Sequence, residues 1–323
     1  MNSSTALVPY VASDVRERAL AWSLLPADER RRRAMDAASR HDVNALCDVL
    51  CAYLLVKSRQ HQAISSHTLT SYLASCRQLC SAWQEENLLH PSRDAGDRFV
   101  GQLSRRLSPA SVATRLAGAK ALYRALRWVR ATDANPFDDV YAPRDRTPAW
   151  EKRQAYPQED IAALLANAGR ESRLFVLLCA HGGLRVSEAL ALEWPDVAEG
   201  FRSLRIRHGK GDKERTVYCS SSLRTALEAA HRMRRYGPVL ASSWGQSYRD
   251  PKPWRRQLAH LCQIAGVPYR GIHALRHSAA TRLVAETGNI HMTAAHLGHS
   301  DVNATAIYAK MADTQLQTQL ESW

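Results

Sequence analysis

The chain has 323 residues and a formal net charge of +13, with a pI near 9.7. That length accommodates two domains, each burying its own core, and the charge points to a polyanionic partner. About +6 of the charge precedes residue 150 and about +7 follows it, so both halves are expected to touch the same polyanion. No apolar run approaches the ~18 residues of a bilayer span, which speaks against a membrane partner. The opening MNSSTALVPYVASDVRER lacks the charged-then-apolar pattern of an export signal, so a cytoplasmic, nucleoid-associated location is expected. Seven scattered cysteines, an odd number, suit a reducing compartment. Cys47/Cys51 and Cys76/Cys80 invite a zinc reading, but i,i+4 spacing in helix-like stretches favours core packing, and no metal is expected.

Residues 1–40 read as an N-terminal extension whose run Glu29 to Arg33 suits a solvated helix face. A helical DNA-binding domain is expected over 41–140. Val43, Leu46, Val49, Leu50, Tyr53 and Leu54 recur at helical spacing, and Ser65 to Thr68 can cap a second helix carrying Leu69, Tyr72, Leu73, Leu79 and Trp83. A third helix begins near Asp94, and Ser108-Pro109 opens a fourth with a serine cap and a proline at its first position. That fourth helix carries Arg115, Lys120, Arg124, Arg127 and Arg130 beside Val112, Leu116, Ala119, Leu122 and Leu126. A basic stripe opposite an apolar one suits a helix lying on a phosphate backbone. Asn135-Pro136 stops the helices. Residues 141–157, with three prolines and little periodicity, read as a linker.

Residues 158–323 form the second domain. Glu159 and Asp160 suit a helix N-terminus, a further apolar helix ends at Gly182-Gly183, and another follows from about Ser187. Segments 202–207 and 215–219 read as a hairpin around Gly209 to Asp212, and the remainder is helical with breaks at glycine. The fold class is mainly α with a small antiparallel β-sheet.

Within this domain Arg185, Lys210, His273, Arg276, His299 and Tyr308 form a set able to grip, protonate and attack a phosphodiester. Arg185 and Arg276 present fixed-charge forks to a pentavalent phosphorane, and His299 can donate to the same oxygens. Lys210, between two glycines, can protonate a leaving 5′ oxygen. His273 stands one helical turn before Arg276 and can handle the proton of Tyr308, the nucleophile, leaving a 3′-phosphotyrosine. No metal or nucleotide cofactor is called for; the Gly-Lys-Gly turn lacks the full phosphate-loop pattern.

GLRVSEALAL, HGKGDKERTV, HALRHSAATRL and LGHSDVNATAIY resemble the catalytic motifs of the tyrosine recombinase (phage integrase) family, in the family's order. The resemblance runs from about 157 to 310 and, more loosely, over 42–140, which is similar to the family's helical core-binding domain. It implies a catalytic set of Arg185, Lys210, His273, Arg276, His299 and Tyr308, with Glu188 in support of Arg185. As a bare residue Glu188 could equally be a surface acid. His296, where the family usually has an apolar residue, and Arg282, where many members have histidine, are departures. Length and plan look most similar to Xer-type recombinases. The implied activity is site-specific DNA recombination through a Holliday junction, serving dimer resolution and chromosome partition. The alternatives are a phage or mobile-element integrase, a type IB topoisomerase and a non-catalytic DNA-binding protein. The implied partners are duplex DNA at a specific site and a homo- or hetero-tetramer on two duplexes, with an activating accessory protein as a candidate. The tail from Met311 to Trp323 has a partial apolar face and is expected to exchange cyclically between protomers.

Overall fold

The computed structural model describes residues 17–57, 66–147, 154–207, 214–242, 244–248 and 250–298. The chain divides into two compact units, Met1–Arg146 and Thr147–Trp323.

In the first unit a helical segment at 17–24 precedes α1 (Ala27–Ser39), α2 (Val43–Lys57), α3 (Ser66–Ala82), α4 (Ala95–Ser104) and α5 (Pro109–Trp128). The Ser108 hydroxyl accepts from the Ser111 amide and Pro109 opens α5, as the sequence leads one to expect. α3 and α5 can approach closely because Gly118 faces Ser75: a Cβ on Gly118 would stand 2.3 Å from the Ser75 Cβ. The core is finished by Trp83, Phe99, Tyr123 and Phe137, with Trp83 stacked on Phe137 at 5.5 Å. Cys47, Cys51, Cys76 and Cys80 are buried free thiols in that core, and among the described residues no cluster of three or more His, Cys, Asp or Glu is placed to hold a metal ion.

The reading of residues 1–40 as an extension is corrected over its described part. Ala19, Trp22, Ala34, Ala37 and Ala38 are buried in the same core as α2 to α5. Arg18 pairs with Asp48 at 2.9 Å and the Arg30 guanidinium sits 5.1 Å from the Trp128 ring centre. Small residues at i, i+3 and i+4 let α1 lie flush on the domain, a signal outweighed in the sequence by its arginine run. Those arginines are indeed on a solvated face, Arg32 and Arg33 pairing with Glu29.

The second unit contains α6 (Gln158–Asn167), α7 (Arg170–Ala180), α8 (Val186–Ala191), the strands β1 (Ser203–Ile206) and β2 (Arg215–Tyr218), α9 (Ser221–Met233), α10 (Lys252–Ala265), α11 (Ile272–Thr287) and α12 (Ile290–Leu297). β1 and β2 pair antiparallel with Ser203 opposite Tyr218 and Ile206 opposite Arg215. Leu204, Ile206 and Val217 turn inward. α7 is buried from Leu174 to Ala180 and packs against both α9 and α11. Trp254 of α10 stacks on Phe175 of α7 at 4.3 Å. Asp160, at the start of α6, pairs with Arg270 at 2.5 Å, which ties α6 to the segment entering α11. No described helix is long and apolar enough to cross a membrane.

Candidate active site

Three segments of the second unit converge on one carboxylate. Glu188, at the third position of α8, is 6% exposed despite its charge. One of its oxygens accepts from the Arg185 backbone amide at 2.8 Å, closing the helix start, and the other accepts from Arg185 Nη1 at 2.7 Å. From β2, Arg215 donates Nη1 and Nη2 to the two oxygens at 3.0 and 2.8 Å. From α11, Arg276 Nη1 stands 3.7 Å away. Burial alone would raise the Glu188 pKa. The guanidinium groups of Arg215 and Arg185 and the Arg185 amide reverse that and hold it down at about 2.

The same three arginines share a second acceptor, the C-terminal end of α12. Arg215 Nε donates to the His296 carbonyl at 3.0 Å, Arg276 Nη2 to Leu297 at 2.7 Å and Arg185 Nη2 to Gly298 at 3.4 Å. These carbonyls lack partners within the helix and carry its negative dipole end. Arg276 Nη1 also donates to the Gly183 carbonyl at 2.6 Å. Two glycines make the convergence sterically feasible. Gly183 has φ +65° and an added Cβ would lie 2.5 Å from Leu297 Cδ2. Gly298 has φ +67° and an added Cβ would lie 2.8 Å from Arg215 Cδ. Among the described residues, three permanent cations face one carboxylate and a half-charge-sized dipole end, an excess of positive charge. That is an electrostatic cradle for an oxyanion.

Of the residues singled out in the sequence, Arg185 and Arg276 come together here. The Arg185 side chain is 23% exposed and can reach a bound anion; that of Arg276 is 3% exposed. His273 is exposed on the first turn of α11, its ring 4.7 Å from that of His277. Lys210, His299 and Tyr308 lie outside the described residues, as does the tail from Met311. Glu188 is no surface acid. Of the departures, Arg282 forms an exposed pair with Glu286 at 2.7 Å, whereas the His296 ring is half-buried and its Nε2 has no hydrogen-bond partner among the described residues. Burial, then the charge of Arg215, lowers the His296 pKa below the usual imidazole value.

On α5, Lys120, Arg124 and Arg127 share a face with Ala113 and Ala117. Arg115 is five residues from Lys120, about 140° around the helix, and does not belong to that stripe. The Lys120 ammonium lies 5.5 Å from the exposed Tyr141 ring.

Arg215 was missed from the sequence. Its signal is register: Val217 is fully buried, so strand alternation turns Arg215 inward, and an inward arginine in a two-stranded sheet needs a buried partner.

Residues 155–315 match the phage integrase family and residues 54–129 match the phage integrase N-terminal SAM-like domain. The chain is 30% identical over 296 residues to a tyrosine recombinase XerC of Myxococcus xanthus, covering 83% of this chain and 96% of that relative. The chain belongs to the tyrosine recombinase family. It is thus a DNA breaking-and-rejoining enzyme of the Xer/integrase type. A XerC of Rhodospirillum centenum is also 30% identical, over 80% of this chain and 81% of that protein. Among solved structures, the recombinase shares its fold with XerH bound to a palindromic difH substrate in a post-cleavage complex, with a TM-score of 0.66, 16% identity and 96% of both chains covered. A lambda integrase dimer bound to a core site gives a TM-score of 0.68 at 14% identity, covering 80% of this chain and 93% of that one. The family assignment agrees with the resemblance carried by the sequence motifs, and the mainly helical architecture with its single described hairpin agrees with the expected fold class.

Proposed function

We propose that this recombinase is a site-specific, Xer-like enzyme that resolves chromosome or plasmid dimers in the cytoplasm, acting on duplex DNA as a homo- or hetero-tetramer. The observation that carries the catalytic half of this reading is the convergence of Arg185 and Arg276 on Glu188 and the end of α12. The extended match to proteins named XerC supports the biological half. In the reaction, the Tyr308 oxygen attacks the scissile phosphorus and its phenolic proton passes to His273. Arg185, Arg276 and His299 hold the non-bridging oxygens of the phosphorane. The bond from phosphorus to the 5′ oxygen breaks, and Lys210 supplies the proton that makes the leaving group a hydroxyl. The 3′-phosphotyrosine retains the bond energy, so a 5′ hydroxyl from the partner duplex displaces Tyr308 and builds the Holliday junction. Lys120, Arg124 and Arg127 on α5 hold phosphates of the same duplex, with Arg115 left as a separate contact. The tail from Met311 packs on a neighbouring protomer, and an accessory protein is a candidate activator.

The test is covalent trapping on a nicked suicide substrate carrying the candidate site, in excess chelator. The wild type should form a covalent DNA complex and Tyr308→Phe none, with binding retained. A covalent complex in the phenylalanine variant, or strict magnesium dependence of cleavage, would overturn the assignment. Resolution of directly repeated sites on a plasmid distinguishes the dimer-resolving role from that of a mobile-element integrase.

A further inference from the structure

Arg215 makes three side-chain hydrogen bonds within the site. Its Nη1 and Nη2 occupy both Glu188 oxygens and its Nε occupies the His296 carbonyl, while its side chain is only 9% exposed. So buried a group is badly placed to contact DNA. Its contacts go instead to the two structures that Arg185 and Arg276 also grip, the Glu188 carboxylate and the carbonyl end of α12. We propose that Arg215 is a positioning residue for strand cleavage: through Glu188 it sets the geometry of Arg185 and Arg276, and through the His296 carbonyl it seats the end of α12, after which the chain continues into His299. This inference rests on the catalytic assignment above.

The chemistry explains why this position needs arginine. A carboxylate offers about four lone-pair sites. The Arg185 amide, Arg185 Nη1 and the Arg215 fork fill all four on Glu188. Without the fork, two sites open toward Arg276 and the carboxylate can rotate, taking Arg185 with it. Lysine has the charge but is a single point donor; it cannot bridge both oxygens and a carbonyl on the other flank. Gly298 supplies an independent observation. The backbone crosses the Arg215 side chain so closely that an added Cβ would lie 3.1 Å from both Nε and Nη1, which only glycine at φ +67° permits. The turn before His299 is thus moulded on Arg215.

The experiment compares wild type, Arg215→Lys and Gly298→Ala in single-turnover cleavage of the nicked substrate, alongside DNA affinity and the pH dependence of the rate. Arg215→Lys should cleave about 10²-fold more slowly, the penalty for displacing preorganised groups by an ångström or so, while affinity stays within about threefold because many phosphates carry binding. Loss of the fork should also move the acid limb of the rate profile to higher pH, since Glu188 is then less strongly held as a carboxylate. A packing defect alone would not produce that shift. Gly298→Ala should slow cleavage in the same way while Arg215 itself is intact. A wild-type rate in either variant, an unshifted acid limb in Arg215→Lys, or an affinity loss matching the rate loss would overturn the proposal. If the wild type itself forms no covalent complex dependent on Tyr308, the catalytic assignment fails rather than the role of Arg215 alone.

Discussion

The two units handle charge in opposite ways. In the first, Glu29 pairs with Arg32 and Arg33 within one helix at 2.6 Å, in solvent, and the core beneath is apolar: leucines, alanines, valines, cysteines and a four-ring aromatic cluster. In the second, Glu188 is buried among arginines delivered by α8, β2 and α11. Local pairs of the first kind add little stability, because solvent screens them and ordering two long side chains costs entropy. A buried carboxylate whose partners come from distant segments is different: removing one member leaves charge without compensation. Apart from the buried Asp48 held by Arg18, the first unit carries its described ion pairs at the surface, whereas the second builds its site around a buried one.

Substitution of the two glutamates should break the symmetry most sharply. Glu188→Gln is expected to destabilise the second unit by about 3–5 kcal/mol, and to abolish measurable cleavage, because three cations lose their shared counter-charge. Glu29→Gln should leave the melting of the first unit unchanged. Hydrogen exchange resolved by unit measures both, and equal losses in the two units would erase the distinction.

Acid titration gives the next largest effect. Glu188 has its folded pKa at about 2, below the ordinary carboxylate value of 4.5, so its contribution is complete above that ordinary value and is lost as the pH falls toward 2. The shift corresponds to roughly 3 kcal/mol. His296 and His181 are depressed by burial, helped by Arg215 and Arg282 respectively. The unfolded chain therefore binds their protons first, and stability declines as pH falls below the usual 6.5. The second unit should accordingly lose protection between pH 7 and 5 before the first does, and His296→Leu should flatten part of that slope. An identical pH dependence in the variant would remove His296 from the account.

Glycine substitution sharpens the comparison at smaller scale. Gly183→Ala places a Cβ 2.5 Å from Leu297 at φ +65°, and should cost about 1–3 kcal/mol and slow cleavage, since Gly183 also offers its carbonyl to Arg276. Gly118→Ala, which meets Ser75 at 2.3 Å, should cost a similar amount in the first unit yet leave the cleavage rate at saturating DNA unchanged. Cleavage loss in the Gly118 variant would mean that packing between α3 and α5 matters to the chemistry.

Legibility from sequence follows the same division. The Ser108-Pro109 start of α5, the Asp94 start of α4 and the 3.6-residue apolar pattern are local signals, and the structure carries them out within a residue or two. The hairpin was readable over 202–207 and 215–219 around Gly209 to Asp212, and the paired strands run 203–206 and 215–218. The alanine face of α1 was hidden by its arginines, so residues 17–40 looked like an appendage. In the site, Arg185 and Arg276 were visible as motif members. That Glu188 is buried and that Arg215 is its main clamp could not be read from neighbours in sequence: the contacts span 27 residues from β2 to α8 and 81 from β2 to α12. Arg115 falls outside the basic stripe of α5 by simple helical rotation, a signal already present in the sequence.

The central claim is that Arg185 and Arg276, gathered around Glu188, stabilise the phosphorane rather than merely hold DNA. It is tested most directly by comparing single-turnover cleavage with site affinity in Arg185→Ala, whose side chain is the more exposed of the two assigned to the phosphate. The account predicts a cleavage rate lower by about 10²–10³ with affinity nearly unchanged. A fall in affinity as large as the fall in rate, or cleavage at the wild-type rate, would contradict it.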